Sequence, residues 1–245
     1  MKTTKKTYRN ALEVKQLNTY AGKSQILFDL NFSLPKGKIC AFIGHNGAGK
    51  TTTVKSILTL RPKSFGKITI NNVDGNNIMS RQHVGYIPEK GSIEPTSAKN
   101  FLRAIGSFYK LGKKEIDEKA KKLIDFFHLP ANRLNVKLNK LSSGQNKVIT
   151  IVQAFLGDPY LIIADEPTDN LDPETRDLFW DFVAKFHKEH KNVTFFIITH
   201  NLDEIEKYTD YMVILDHGRV RFEGKYDRSP GLRAKYRKMR DVWRV

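Results

Sequence analysis

The chain has very little cysteine and no long apolar segment. Its 245 residues include one cysteine, Cys40, which excludes an internal disulfide and favours a cytosolic protein. No run approaches the ~18 continuous apolar residues that a membrane-spanning helix needs. Residues 1–10 are basic, with no apolar segment behind them, which argues against a secretory signal. We therefore expect a soluble cytosolic protein.

Acidic residues are scarce relative to basic ones: 26 Asp and Glu stand against 42 Lys and Arg, a net charge of +16. Such an excess is typical of proteins that bind nucleic acid or an anionic membrane. The excess is local, however. Residues 1–10 carry four basic residues and no acid, residues 99–140 eleven against four, and residues 225–245 eight against two. The charge therefore marks two tails and one internal segment, while the remainder is nearly neutral.

The hydrophobic patterning predicts an α/β protein with a helical insert. Strand patterns cover residues 11–20 and 24–34, and a continuously apolar strand at 38–43 reads as buried on both faces. Between 97 and 140 the period becomes helical. The rest of the prediction is a helix at 49–60, strands at 68–70 and 84–87, a helix at 144–156, a strand at 161–164, a helix at 173–187, a strand at 193–199, a helix at 202–208 and a hairpin at 211–223.

A glycine-rich motif lies between the buried strand at 38–43 and the helix that follows it. It fits the pattern G-x-x-x-x-G-K-[ST] and consists of Gly44, His45, Asn46, Gly47, Ala48, Gly49, Lys50 and Thr51. Glycines let backbone N–H groups converge on a phosphate, and the helix N-terminus adds partial positive charge. Lys50 is suited to the β- and γ-phosphates, and the Thr51 hydroxyl to Mg²⁺. The motif predicts a nucleotide-phosphate site.

A pair of acids, Asp165 and Glu166, ends the apolar strand at 161–164. Two adjacent carboxylates at the end of a buried strand are costly unless a cation and a water lie beside them. Asp165 is the natural metal ligand, and Glu166 is placed to polarise the attacking water. Capping of the next helix is the structural alternative, and the phosphate motif makes it the weaker one.

These motifs resemble those of ATP-binding-cassette (ABC) ATPase domains, and the resemblance covers residues 11–224. Residues 141–145, LSSGQ, are similar to the family's signature LSGGQ, and Asn170-Leu171-Asp172 to its D-loop. His200 matches the switch histidine, and Tyr20 is placed like the aromatic residue that stacks on adenine. Each short motif is weak alone, but together they stand in the family's order.

The resemblance implies a P-loop NTPase (RecA-like) α/β core with an N-terminal antiparallel β subdomain and an inserted helical subdomain. The core would comprise residues 11–91 and 146–224, the helical subdomain about 92–145, and a basic C-terminal tail 225–245. It further implies ATP and Mg²⁺ as cofactors. The implied catalytic residues are Glu166, His200 and Lys50; the implied metal ligands are Thr51, Glu89 and Asp165; and the nucleotide-binding residues are Tyr20, Gly44, His45, Asn46, Gly47, Ala48, Gly49, Lys50, Thr51, Thr52, Glu89, Ser142, Ser143, Gly144 and Gln145.

Two residues depart from the family pattern. Ser143 replaces the first signature glycine, and a serine at a helix start can itself cap the helix. Glu89 stands where the family usually has the Q-loop glutamine. A glutamate can still ligate Mg²⁺ through oxygen, but it adds negative charge near the γ-phosphate.

The resemblance implies an active site made from two chains, because the signature segment cannot fold back onto its own P-loop. The partner would be a second ABC ATPase chain, identical or different, with two ATP molecules sandwiched between the two. The leading interpretation is the ATPase subunit of a transporter, of exporter type, peripheral on the cytoplasmic face of the membrane and coupled to a separate permease. The insert's aromatic residues could pack as core, the favoured reading, or line a groove for the permease: Phe101, Phe108, Tyr109, Phe126 and Phe127.

The basic charge leaves a second interpretation open. A soluble, non-transport ABC ATPase could act on a nucleic-acid or ribosomal partner. Anionic lipid headgroups are the favoured explanation of the charge, since each Lys or Arg near such a surface contributes ~1 kcal/mol. The sequence thus favours a membrane surface over nucleic acid.

Overall fold

The structure is a computed structural model, and it describes residues 10–61, 64–226, 231–234 and 236–237. The N-terminal basic segment up to residue 9 and most of the predicted C-terminal basic tail lie outside the described residues.

The described residues include two β-sheets and the six α-helices whose bounds follow. The strands are β1 (Asn10–Ala21), β2 (Ser24–Pro35), β3 (Ile39–Ile43), β4 (Ser64–Ile70), β5 (Val73–Asp74), β6 (Val84–Ile87), β7 (Leu161–Asp165), β8 (Thr194–Thr199), β9 (Tyr211–Asp216) and β10 (Arg219–Lys225). The helices are α1 (Lys50–Ile57), α2 (Ala98–Phe108), α3 (Lys113–Phe126), α4 (Ser143–Phe155), α5 (Pro173–Glu189) and α6 (Leu202–Ile205).

The first sheet is antiparallel, in the order β2-β1-β4-β5. The second has the order β10-β9-β3-β8-β7-β6, and all its strands are parallel except β10, which forms a hairpin with β9. The α/β architecture with an N-terminal antiparallel sheet, which the resemblance implies, is thus confirmed.

β3 lies at the centre of the second sheet and is buried on both faces. Cys40 and Phe42 point into the core between the two sheets, while Ile39, Ala41 and Ile43 point into the core on the other face. Side chains alternate along a strand, so a strand covered on both faces carries apolar residues at every position. Phe42 stacks on Phe32 with ring centroids 5.5 Å apart.

The parallel strands place the predicted functional loops at one edge of the sheet. β3 leads into the glycine-rich motif, β6 into Glu89, β7 ends at Asp165, and β8 leads into His200. Because the carboxyl ends of parallel strands meet at the same edge, loops far apart in sequence come together there.

The inserted helices α2 and α3 pack against α4 and share its core. Gly106 of α2 lies against Ile116 of α3, where a β-carbon on the glycine would come within 2.5 Å of the isoleucine side chain. The prediction that the insert's aromatic residues pack as core is confirmed for Phe127, which is buried. Phe101, Tyr109 and Phe126 are half-buried against the same core.

The expectation was wrong for Phe108, which is 79% exposed. Phe108 follows Gly106 by two residues, and at 100° per residue this puts it on the opposite side of the helix from the contact with α3. The helical spacing in the sequence therefore assigned one exposed residue, Phe108, to the buried face of the helix.

Two predicted helices are shorter in the structure. α1 ends at Ile57 rather than at residue 60, because Thr59 adopts a left-handed conformation with φ of 56°. α6 ends at Ile205 rather than at residue 208, and the chain continues in turns.

Candidate functional site

The glycine-rich motif forms the loop that joins β3 to the N-terminus of α1. Gly49 stands at the N-cap of α1 with φ of 106°, a conformation that L side chains rarely adopt, and a β-carbon there would lie 2.7 Å from the Leu27 side chain. A glycine is therefore required where the loop turns into the helix. The first N–H groups of α1 have no intrahelical acceptor, so they face the space enclosed by the loop.

Lys50, the first residue of α1, is buried beneath this loop. Its ammonium donates hydrogen bonds to the carbonyl oxygens of Gly44 at 2.8 Å and His45 at 3.3 Å, and lies 3.9 Å from Oε1 of Glu166. Burial lowers the pKa of Lys50, and the nearby carboxylates of Glu166 and Asp165 oppose that shift. The loop carbonyls thus hold a cation at the base of the cavity.

A cavity of about 600 Å³ opens at this edge of the sheet. It brings together most residues of the glycine-rich motif with Glu166 and His200, the two predicted catalytic residues that lie outside that motif. Its lining comprises Ile26, Asn46, Gly47, Gly49, Lys50, Thr51, Thr52, Glu89, Glu166, Asp169 and His200.

Asp165 ends β7 beside this cavity and is 1% exposed. Neither of its carboxylate oxygens has a hydrogen bond of normal geometry among the described residues. Burial raises the pKa of Asp165 to about 6; the Thr51 side chain acts in the opposite direction, while Glu166 and Glu89 add to the rise. A buried carboxylate with free lone pairs next to a threonine hydroxyl fits a hard divalent cation.

Glu166 and His200 form a contact pair on the cavity wall. Oε1 of Glu166 lies 3.0 Å from Nδ1 of His200, and the His200 backbone N–H donates to Oε2 at 3.3 Å. Glu166 has φ of 44°, and its own N–H donates to the carbonyl of Ile198 at the end of β8. Two strand ends therefore orient one carboxylate, which can accept a proton from a molecule in the cavity.

The signature segment lies outside the cavity and opens α4. Ser142 is the N-cap: its hydroxyl accepts from the Gln145 N–H at 3.2 Å, and Gln145 Oε1 accepts from the Ser142 N–H at 3.3 Å. Ser143 is the first helical residue rather than the cap. Both serines are exposed, with Gly144 and Gln145 half-buried beside them. The N-terminus of α4 is thus exposed to solvent.

Tyr20 lies on β1, with its ring edge-on to Phe65 at 6.1 Å between centroids. It is not among the cavity-lining residues, and its predicted contact with adenine stays a prediction. Ile26 and Asp169 do line the cavity, and sequence reasoning missed both. Asp169 follows the acid pair by three residues, whereas Ile26 is one apolar residue of β2 among many and carries no signal.

Lys147 was also missed, although it is the only charged residue of α4. It is 2% exposed, and its ammonium donates to the carbonyl oxygens of Pro88 at 2.9 Å and Glu89 at 3.0 Å. Burial lowers the pKa of Lys147 to about 8, and the surrounding acids, Asp169 first among them, oppose the shift. This lysine ties the helix that starts at the signature segment to the loop that carries Glu89.

No helix among the described residues is both long and apolar enough to cross a bilayer.

The sequence and the fold were compared with known proteins. Residues 27–169 match the family model described as ABC transporter. The chain is 35% identical over 218 residues to a putative ABC transporter ATP-binding protein of Mycoplasma pneumoniae, and 31% identical over 217 residues to Nod factor export ATP-binding protein I of Cupriavidus pinatubonensis. Both alignments cover 87% of this chain and 66% of the relative, so the chain spans just under two thirds of these proteins' length.

Solved structures show the same architecture. The ATP-binding subunit of an ABC transporter superposes with a TM-score of 0.84 at 31% identity, over 94% of this chain and 99% of that one. A dimeric ATP-binding cassette in a post-hydrolysis state, bound to ADP and Pi, superposes with a TM-score of 0.78 at 23% identity, over 87% of this chain and 98% of that one. At that lower identity the likeness shows the fold alone.

Proposed function

Because the chain belongs to the ABC transporter family of ATP-binding proteins, we propose that it hydrolyses ATP in the cavity described above to drive a separate membrane permease. The observation that carries the proposal is the convergence of Lys50, Glu166 and His200, from three separate loops, on one cavity at the end of the parallel sheet. ATP is the substrate, and ADP and phosphate are the products.

The phosphate-binding step rests on the glycine-rich loop and α1. Backbone N–H groups of residues 46–51 would surround the β-phosphate, and Lys50 would exchange its contacts with the Gly44 and His45 carbonyls for the β- and γ-phosphate oxygens. The ammonium is desolvated before the nucleotide arrives, so little water has to be removed when the phosphates bind. The Thr52 side chain lies at the same wall of the cavity.

The hydrolytic step rests on Glu166 and His200. A water between Glu166 and the γ-phosphate would give a proton to a Glu166 carboxylate oxygen as its own oxygen bonds to phosphorus, while the bond to the β–γ bridging oxygen breaks and ADP leaves. His200, 3.0 Å from the same carboxylate, would hold that water and the γ-phosphate in line.

The residues present also fit Mg²⁺. The free lone pairs of buried Asp165 and the Thr51 hydroxyl are oxygen ligands of the kind Mg²⁺ takes, and Glu89 supplies a further carboxylate at the cavity wall. When bound, the ion would neutralise charge on the phosphate oxygens. Glu89, in place of the family's glutamine, adds negative charge to this set, and the buried ammonium of Lys147 lies close enough to offset part of it.

We propose that the active unit is a dimer, identical or mixed, in which the signature segment of one chain faces the P-loop of the other. The exposed N-terminus of α4 offers backbone N–H groups and serine hydroxyls for a γ-phosphate. A dimeric ATP-binding cassette bound to ADP and Pi is among the solved structures that share this fold.

The permease site is proposed at a groove of about 390 Å³ between the turn at 78–81 and α2. Ile78, Met79 and Phe108 there are 77%, 58% and 79% exposed. Large apolar side chains gathered this way mark an interaction surface. The occupant we propose is an amphipathic helix from the permease. Tyr109 also lines the groove, whereas Phe101, Phe126 and Phe127 pack in the core and do not line it.

Export is the proposed direction, since Nod factor export ATP-binding proteins are among the relatives. The proposed location is the cytoplasmic face of the membrane, with the basic residues of 99–140 near anionic headgroups. Several of these cations are already paired within the chain, as in Arg103–Asp117 and Lys119–Asp158. Such pairing reduces the charge available to anionic headgroups and to nucleic acid, the alternative partner, alike.

Affinity purification of the Glu166→Gln variant from native membranes tests the proposal. Recovery of a multi-span membrane protein is expected, and its yield should rise with ATP, because the variant holds the closed dimer. Recovery of ribosomes or DNA with no membrane protein would instead establish the soluble alternative. A Lys50→Ala sample, deficient in ATP binding, is the matched control for the ATP dependence.

A further inference from the structure

Three potential metal ligands meet where the glycine-rich loop contacts the β9–β10 turn. The side chains are those of His45, Asp216 and His217, and one ligand atom of each lies within 4.8 Å of the others. We propose that this cluster is a binding site for a divalent transition metal of the Zn²⁺ class, separate from the nucleotide cavity.

The hydrogen bonding of His45 calls for a cation at this point. Its Nδ1 lies 2.7 Å from the carbonyl oxygen of Asn46, and since a carbonyl can only accept, Nδ1 carries a proton. Nε2 is buried, has no hydrogen-bond partner among the described residues and lies 3.2 Å from Oδ1 of Asp216. A neutral imidazole would therefore place its free lone pair beside a carboxylate oxygen. A metal ion between the two atoms removes the repulsion and uses both lone pairs.

The second histidine completes the set. The ring of His217 lies 4.9 Å from that of His45, centroid to centroid, and is exposed, so an ion can enter from solvent. Asp216 is 7% exposed, and its other oxygen lies 3.8 Å from Nε of Arg221. That guanidinium orients the carboxylate without reaching Oδ1.

The backbone holds the two segments in a fixed relation. The N–H of Gly218 donates to the carbonyl of Ala48 at 2.9 Å, and its carbonyl accepts from Phe28 at 2.8 Å. Gly218 has φ of 70°, and a β-carbon there would come within 2.0 Å of the Ile26 carbonyl oxygen. One hydrogen bond thus holds the turn to the glycine-rich loop and the other holds it to β2, which preorganises the site.

The donor set selects the class of metal. Two imidazole nitrogens and one carboxylate oxygen, with a position open to water, suit Zn²⁺, Co²⁺ or Ni²⁺, whereas Mg²⁺ and Ca²⁺ prefer all-oxygen ligands. His45 is not among the residues that line the nucleotide cavity. The ion would therefore bind outside the cavity that would hold ATP.

The test is titration of the full chain with Co²⁺ and Zn²⁺, without nucleotide. Tetrahedral Co²⁺ is followed by its visible absorption, and Zn²⁺ by calorimetry. We expect one equivalent to bind, and His217→Asn to weaken binding at least about tenfold, in line with the loss of a metal-site residue. His128→Asn is the matched control: this histidine is also exposed and also lies beside a carboxylate, 3.7 Å from Glu174, so binding should not change.

A second variant separates this site from the other cluster of possible ligands, which consists of Glu166, Asp169 and His200. His200→Gln should leave the Co²⁺ absorption intact. Loss of binding in His200→Gln with retention in His217→Asn would assign the ion to the nucleotide cavity and overturn the proposal. Absence of binding by the wild-type chain would overturn it as well.

Discussion

The carboxylate of Glu166 and the imidazole of His200 are in direct contact, with 3.0 Å between Oε1 and Nδ1, although 34 residues separate them in the chain. The contact exists because β7 and β8 are neighbouring parallel strands that end at the same edge of the sheet. A carboxylate held by a backbone N–H and a ring nitrogen is fixed in direction, which a general base requires.

Replacing Glu166 with glutamine tests whether this residue is the general base. The amide keeps the size of the side chain but cannot accept the water's proton, so turnover should fall about 10²- to 10⁴-fold while ATP affinity is retained. Phosphate release and nucleotide binding are measured on the same preparation, and size-exclusion chromatography with ATP should show a dimer. Undiminished turnover would remove Glu166 from this role. Glu174→Gln, on an exposed residue of α5, is the control.

Replacing Lys50 with alanine tests the phosphate cradle. The loss of a charge-assisted contact to the phosphates should weaken ATP binding at least about tenfold, equivalent to ~1.4 kcal/mol, and abolish turnover. Equilibrium binding of a fluorescent ATP analogue gives the affinity. Lys55→Ala alters an exposed lysine of the same helix and should change neither quantity. Equal affinities for wild type and Lys50→Ala would contradict the assignment.

Replacing Asp165 with asparagine should stabilise the nucleotide-free chain at pH 7. The folded-state pKa of about 6 lies above the ordinary aspartate pKa of 3.8, so folding favours the protonated acid. Its stabilising contribution is present below pH 4 and is lost as the pH rises through 6. At pH 7 the variant should gain about 1–3 kcal/mol in unfolding free energy.

Urea unfolding at pH 7 and pH 4 measures that gain, which should shrink at the lower pH. Asp181→Asn, on an exposed aspartate of α5, should show no such pH-dependent gain. A variant less stable than wild type at pH 7 would show that the carboxylate is satisfied in the free protein.

Replacing Phe108 and Met79 together with alanine tests the groove. Each side chain that a partner buries contributes ~1.5–3 kcal/mol, so the double variant should reduce permease recovery from membranes at least about tenfold. ATPase activity of the isolated chain should not change, since neither residue lines the nucleotide cavity. Leu60→Ala, at an apolar residue that is 61% exposed outside the groove, is the control. Equal recovery of all three proteins would place the permease elsewhere.

Replacing Lys147 with methionine removes a buried charge and two hydrogen bonds to the Glu89 loop. Because the folded-state pKa of about 8 lies below the ordinary lysine pKa of 10.5, the wild-type chain gains stability as the pH rises between these values. Any stability advantage of the variant at pH 7 should therefore shrink by pH 10, by about 3 kcal/mol at most. Urea unfolding at both pH values measures the difference, and an advantage that does not change with pH would contradict it.

Sequence reasoning worked best where local pattern and chemistry coincide. The glycine-rich motif could be located because a buried strand, a glycine loop and a helix follow one another, and the acid pair because a buried strand ends in two carboxylates. The parallel arrangement of β3, β8 and β7 followed from the alternation of strands and helices.

Other features depend on which side of a helix packs against its neighbours and on which elements lie next to one another. Phe108 was counted with the core because its spacing is helical, but only the contact of Gly106 with Ile116 decides which side of α2 is buried. Ile26 enters the cavity wall because β2 passes beside the loop, and no local signal marks it. Lys147 did carry a signal, as the only charge in α4, but its partners are backbone carbonyls that a sequence motif does not represent.

The hydrogen bonds of Lys147 also bear on cooperativity. α4 starts at the segment proposed to meet the partner chain's ATP. Lys147, two residues after Gln145, donates a hydrogen bond to the carbonyl of Glu89, which lines the chain's own cavity. A rigid helix transmits a displacement at one end to the other, so occupancy of the partner's site would alter the position of Glu89. Under the proposed dimer, ATP hydrolysis should depend sigmoidally on ATP concentration, and loss of Lys147 should lower the Hill coefficient toward one.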